Sequence, residues 1–483
     1  MFPIGVIAAA RRRSGGGVDP GPGSGTAPQY VGGKTVGSSA GTSSTVISLT
    51  GLTGGLASAP AAGDLVIVIH AVSTTHHQNN GVTTAGWSRL GQFFASATCR
   101  TNLVVDYKFM EATPDTSVTV SATGGSSTDA AVVAVYVWRG VSQVRPFEAG
   151  QLAYVSGTSH PNPPATTPQT GGAVIIAVGA SSGLSTAPTT YTSSDLSNFI
   201  AKSQANTNTS IGVGIGSFNW SSGSFDPALF GGGLTSSSTS WVGLTFALRP
   251  SDADASADTA YSGITFVGGK IAGFAGSLSS TVISLTDLLG GSDAAPQAGD
   301  IVVVNYGTGA TATEAIAIET PGYTSVAALN ASASAHTNQV VGYKIMGGTP
   351  DTTVQVSQTF NTTWAAAVSI SVWRGVNATS PLDVATVTAT GTADQCADPP
   401  AITASSIGAV VLACAAGAAV DGGSLMGNLD YMKSAYRFQS GASVASCIGA
   451  KKWYSGSLDL PQLQGAHDST SSWTCAVMAL KPA

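Results

Sequence analysis

Residues 60–69 read Pro-Ala-Ala-Gly-Asp-Leu-Val-Ile-Val-Ile, and residues 296–304 read Pro-Gln-Ala-Gly-Asp-Ile-Val-Val-Val. The displacement is 236 residues (296 − 60), and it recurs along the chain. Val31-Gly-Gly-Lys34 matches Val267-Gly-Gly-Lys270, and Ser44-Thr-Val-Ile-Ser-Leu-Thr50 matches Ser280-Thr-Val-Ile-Ser-Leu-Thr286. Gly86-Trp87 aligns with Gly322-Tyr323, Tyr107-Lys108 with Tyr343-Lys344, and Thr113-Pro-Asp-Thr116 with Thr349-Pro-Asp-Thr352. Val137-Trp-Arg-Gly-Val141 pairs with Val372-Trp-Arg-Gly-Val376 at 235, and Ser240-Trp241 with Ser472-Trp473 at 232. A unit this long is no solenoid repeat, so the chain is a tandem domain duplication. The reading is a first domain over 31–250, a short acidic linker over 251–266, and a duplicate domain over 267–483.

Short Val/Ile/Thr runs separated by Gly, Ser, Asn and Pro read as strands. In the first repeat the candidates are 44–50, 64–72, 102–110, 116–122, 130–138, 172–180, 210–218 and 240–248, with weaker ones at 87–95 and 151–156. Ser117-Val-Thr-Val-Ser121 alternates, which predicts one wet face. Leu65-Val-Ile-Val-Ile69 does not, which predicts a strand covered on both faces. No stretch has a helical period. The fold expected is all-β: two tandem jelly-roll-like β-sandwich domains, each of two sheets, behind an extended N-terminal arm.

Only 9% of the 483 residues are charged and the formal net charge is −6, so no basic field exists to hold a nucleic acid. No stretch reaches the length of a membrane-spanning helix. The apolar run Met1–Ala10 precedes Arg11-Arg12-Arg13, the reverse of a secretory leader, so no secretory signal peptide is read there and assembly in the cytoplasm is expected. Gly, Pro and Ser then dominate to residue 30, which reads as a linker. Met1, Phe2, Pro3, Ile4, Val6, Ile7, Arg11, Arg12 and Arg13 suit a peptide that inserts into a partner's groove better than a solvated tail. Four of the five cysteines (Cys99, Cys396, Cys414, Cys447, Cys475) lie in the second repeat without counterparts in the first. A shared disulfide framework is thereby excluded, and buried thiols are expected.

Gly63-Asp64 and Trp138-Arg139-Gly140 read as framework: a turn whose Asp accepts backbone N–H bonds, and a strand end whose Arg pairs a carboxylate or covers the ring. Catalytic chemistry finds no foothold. Acids are sparse and unpaired, and neither a nucleophile elbow nor a phosphate loop appears. No enzyme activity, cofactor or metal is expected. The loop His76, His77, Gln78, Asn79, Asn80 offers donors and acceptors suited to sugar hydroxyls, and Tyr191 and Trp220 read as stacking platforms for a sugar ring.

The ordered set Gly63-Asp64, Gly86-Trp87, Tyr107-Lys108, Thr113-Pro-Asp-Thr116 and Trp138-Arg139-Gly140 resembles a module of tailed-phage virion proteins. Such modules belong to fibres and spikes of phages and gene transfer agents of alphaproteobacteria. The start Met1-Phe-Pro-Ile-Gly, followed by Arg and Gly, is similar to particle-anchoring starts of such proteins. The resemblance implies a virion surface location, docking on other virion proteins through residues 1–13, and a host polysaccharide as target. The expected role is an oligomeric tail fibre or spike for host attachment. A purely structural decoration or baseplate protein, a depolymerase and a bacterial adhesin remain the alternatives.

Overall fold

The computed structural model describes residues 25–38, 44–74, 79–95, 100–123, 129–143, 146–156, 160–168, 170–183, 189–206, 209–232, 240–252, 263–275, 279–288, 291–333, 335–359, 365–392, 397–420, 425–426, 431–439, 442–453, 456–460, 463–464 and 467–483. Among these the chain is all-β, without a helix. The virion-docking residues expected at Met1–Arg13 lie outside the described residues.

The first repeat holds β1 (Gln29–Ser38), β2 (Thr45–Ser48), β3 (Leu65–Thr74), β4 (Asn79–Val82), β5 (Ser88–Ala95), β6 (Arg100–Phe109), β7 (Ser117–Thr123) and β8 (Ala130–Arg139). There follow β9 (Phe147–Ser156), β10 (Val174–Gly183), β11 (Ser197–Ala205), β12 (Ser210–Asn219) and β13 (Ser240–Leu248). The strands form three antiparallel sheets rather than the two expected. Their orders are β1-β8-β3-β6-β5, β2-β7-β4 and β9-β13-β10-β12-β11. The first two sheets have the jelly-roll order 1-8-3-6 over 2-7-4, with β5 carried to the edge of the large sheet. The third repeats the large sheet strand for strand: β9, β10, β11, β12 and β13 stand where β1, β3, β5, β6 and β8 stand. Among the described residues its small partner sheet is represented by two single bridges, Thr166↔Phe225 and Thr192↔Gly231. The duplication is therefore nested, and a half of each repeat is the elementary unit.

The two large sheets pack face to face, with β3 over β10, β8 over β12, β6 over β13, β1 over β11 and β5 over β9. That exchange of edges is a pseudo-two-fold about the central strands. Between them lies one apolar core, from Ile67, Ile69, Leu103 and Tyr136 on one side to Ile176, Val213, Leu244 and Phe246 on the other. The opposite face of β3 packs Val66 and Val68 against Ile47, Val118 and Val120 of the small sheet. Apolar layers on both faces account for the unbroken Leu65–Ile69 run. The outer face of β10 and β12 is covered by Tyr191, Leu196, Phe199 and Phe230 instead of a full sheet.

The second repeat follows the same plan. It has β14 (Thr265–Ala275), β15 (Ser280–Ser284), β16 (Ile301–Ala310), β17 (Ile316–Ile318), β18 (Thr324–Ser332), β19 (His336–Ile345), β20 (Thr353–Gln358) and β21 (Ala365–Arg374). Its second half has β22 (Val387–Thr392), β23 (Val410–Val420), β24 (Leu425–Met426), β25 (Tyr431–Gln439), β26 (Ala442–Lys452), β27 (Leu463–Gln464) and β28 (His467–Leu480). The sheet orders are β14-β21-β16-β19-β18, β15-β20-β17, β22-β28-β23-β26-β25 and β24-β27. Among the described residues no sheet contains strands of both repeats.

Candidate functional site

The shared motifs turn out to be struts at one end of each repeat. Arg139, at the end of β8, forks onto Asp64, at the start of β3, with Nε–Oδ1 2.8 Å and Nη2–Oδ2 2.9 Å. The Ala61 N–H donates to the same Oδ2 at 2.8 Å, so this buried carboxylate is satisfied from strand and turn together. Arg374 and Asp300 repeat the fork at 2.8 and 2.9 Å. Lys108 reaches Asp115 of the Thr-Pro-Asp-Thr turn at 3.0 Å, and Lys344 reaches Asp351 at 2.7 Å. Each lysine lies under a positive-φ glycine, Gly86 (φ 84°) or Gly322 (φ 88°). Five motifs that look separate in sequence thus collapse into two ion-paired braces. They hold the chain.

The other end of the repeat is built differently. Thr74 pairs with Arg100, Ala95 with Thr101, Ser38 with Ala131 and Ser73 with Ala130, so four strand-to-strand connections leave side by side. Between the two ends, beneath β4, the packing is polar. Asp106 on β6 accepts from Arg89 Nε at 2.9 Å and from the Val82 N–H at 2.7 Å. Arg89 also donates to the Asn80 carbonyl at 3.0 Å and to Gln92 at 3.1 Å. Asn80 Nδ2 donates to the His70 carbonyl at 2.9 Å. The guanidinium lies against Gly81, where a Cβ would come within 2.0 Å of Nη2. His70 Nδ1, Asn80 Oδ1 and Asn102 Nδ2 are buried without a partner. Burial, and then the Arg89 charge, lower the His70 pKa to about 3. The ring is therefore neutral at physiological pH and no general acid. Neutral donors and acceptors of this kind suit a water or a ligand hydroxyl.

The cluster belongs to one repeat. At 236 residues further on, His70, Asn80, Arg89 and Asp106 are replaced by Tyr306, Ile316, Ser325 and Gly342. Ile318 fills the space that a side chain on Gly342 would take. No protein-family model, curated protein or solved structure matches the chain. Function must therefore be argued from the geometry.

Two of the sequence-predicted contact residues need correction. Tyr191 is buried, 2% exposed, with its hydroxyl on Ser181 and its ring near Phe230, so it cannot present a face to a sugar. Asn80 is a buried strand residue bonded inward and not a loop tip. Trp220 is half-buried at the end of β12, beside Phe218 and Phe225, and donates to the Gly223 carbonyl at 2.8 Å. Asn79 begins β4. His76, His77 and Gln78 lie outside the described residues. Arg89, Gln92, Asn102 and Asp106 were missed. Alternation was the available signal: Arg100, Asn102, Asp106 and Lys108 share one face of β6 with Val104, opposite the apolar Leu103, Val105 and Tyr107. Cys414, Cys447 and Cys475 are buried free thiols. Burial pushes Cys447 up to about 12. No group of three His, Cys, Asp or Glu side chains suited to a metal occurs among the described residues.

Proposed function

We propose that this chain is a non-enzymatic virion fibre or spike protein, anchored to the particle through its N-terminal residues, that contacts neutral host-surface glycans at the loop end of its first repeat. One observation carries the reading. The braces are kept in both repeats, while beneath β4 the first repeat leaves His70 Nδ1, Asn80 Oδ1 and Asn102 Nδ2 buried without a partner and builds an Arg89–Asp106 pair that the second repeat lacks. A fold that conserves its struts and diversifies one end is organised as a scaffold for recognition. The polar segment His76-His77-Gln78-Asn79 supplies the donors and acceptors that sugar hydroxyls require, the buried polar set beneath β4 holds that strand in place, and the sparse surface charge favours an uncharged polymer. Weak single contacts gain strength when several copies sit on one particle.

Glycan-array binding by the full chain tests this. Binding is expected, reduced about tenfold or more by Arg89→Met with the fold intact. Absence of binding by the full chain favours a decoration or baseplate protein, and shortening of the polysaccharide during incubation makes the protein a depolymerase. Deleting residues 1–13 should abolish incorporation into particles.

A further inference from the structure

The longest uninterrupted identity between the repeats is residues 43–50 with 279–286, Ser-Ser-Thr-Val-Ile-Ser-Leu-Thr in both. It falls on β2 and β15, each the terminal strand of its small sheet. Core packing explains part of the identity, since Ile47, Leu49, Ile283 and Leu285 are buried. A repeated local turn explains another part. Ser48 Oγ lies 2.9 Å from Thr50 Oγ1 and accepts the Thr50 N–H at 3.1 Å, and Ser284 and Thr286 do the same at 3.0 and 3.2 Å. Neither accounts for Val46 and Val282. These are 67% and 60% exposed and hold equivalent positions in the two repeats.

We propose that β2 and β15 are self-association edges, each pairing antiparallel with the same edge of a second copy of this chain. An end strand offers unpaired N–H and C=O groups, and proteins usually guard such edges with Lys, Pro or a bulge. Within the strands themselves no guard is present: residues 43–50 and 279–286 contain no charge and no proline, and β2 and β15 pair with their neighbours without a bulge, while Lys34 on the Thr50 carbonyl and the Lys270–Asp287 pair sit only at the far end of each segment. The outward residues Ser44, Val46 and Ser48 are symmetric about the valine. An antiparallel two-fold therefore sets Val46 against a valine and each serine against a serine, so the edge is complementary to itself. In a chain of net charge −6, this is a place where two copies meet without like-charge repulsion.

The area sets the assembly mode. A strand of four residues is about 13 Å long, and one such pairing buries far less than the roughly 1,200 Å² of a stable interface. One edge alone gives a weak contact. Two edges per chain let copies link in series, and in any arrangement where both engage at once the second pairing is intramolecular in effect. The partner is a second copy because the Ser44, Val46, Ser48 pattern is complementary to itself about the valine.

Sedimentation velocity of the full chain over a wide concentration range, with hydrogen exchange on the associated form, tests the proposal. The chain should self-associate, with exchange slowed in β2 and β15. Val46→Lys or Val282→Lys alone should weaken association about tenfold or more, and together they should leave a monomer. Both valines are exposed, so the variants should keep the parent's circular dichroism; Val46→Thr, uncharged and strand-forming, should retain association. A chain that stays monomeric at its solubility limit overturns the idea. So does association that survives the double lysine variant, or that leaves exchange in both strands unchanged.

Discussion

His70 carries a cost that the second repeat avoids by placing Tyr306 at the equivalent position, where its hydroxyl donates to Gln358 at 2.7 Å. Folding lowers the His70 pKa from 6.5 to about 3, through burial first and the Arg89 charge second. Between those values the unfolded chain binds a proton that the folded chain does not. Stability is therefore unaffected by this group above pH 6.5 and falls as the pH drops toward 3. By pH 5 the loss is about 2 kcal/mol. Urea midpoints at pH 7 and pH 5 should show it in the parent, and His70→Leu should remove that share of the pH dependence. An equal pH slope in both proteins would mean that His70 is charged when folded. Retaining a buried histidine with an orphaned nitrogen is hard to explain by stability alone, which is why the polar cluster is read as functional.

At the scale of the element, the strands were legible and their covering was not. The ten predicted segments of the first repeat all become strands, because β-branched runs between turn residues report backbone preference directly. Three strands escaped. In β1 the Gly32-Gly33 pair looks like a loop, yet Gly32 (φ 151°) makes the bulge that lets Leu52 and Ala57 pass over it. The strand β4 is short and polar, and β11 is an edge strand without fully buried side chains. The site was less legible still, since Arg89, Asn80 and Asp106 converge from three strands. The glycines of Ile211-Gly-Val-Gly-Ile-Gly216 show what sequence hides. Their valine and isoleucine neighbours face the inner core, and the glycines face rings: a Cβ on Gly214 would meet Phe199 at 2.8 Å and Phe230 at 3.0 Å. Gly214→Ala should therefore destabilise by about 1–3 kcal/mol, outweighing the gain from a less flexible unfolded chain. Gly347→Ala, with open space around its Cβ, should be neutral or slightly stabilising in the same thermal unfolding assay.

The whole molecule uses one architecture with two different cores. Where the first repeat packs Ile69, Leu103 and Ala134 between its large sheets, the second has Asn305, Gln339 and Ser369. These bridge the two sheets. Asn305 Nδ2 donates to the carbonyls of Ala415 and Cys447, both at 2.9 Å, while Gln339 Nε2 donates to Asn305 Oδ1 at 2.8 Å and to the Cys414 carbonyl at 2.9 Å. Ser446 donates to the Asn305 carbonyl at 3.0 Å and lies 2.8 Å from Ser369 Oγ. Such a network fixes how the sheets register on each other but adds little net stability, because water would satisfy the same groups in the unfolded chain. Removing one member differs from removing the pair. Asn305→Ile should cost about 1–3 kcal/mol, since it strips Gln339 of a buried acceptor. Adding Gln339→Leu restores the apolar pair of the first repeat and should recover most of that loss. Chemical denaturation of the double-mutant cycle measures the coupling, and hydrogen exchange should confine the change to β16, β19, β23 and β26. Additive losses would show that the two side chains act separately, and the bridge would then be packing rather than a network.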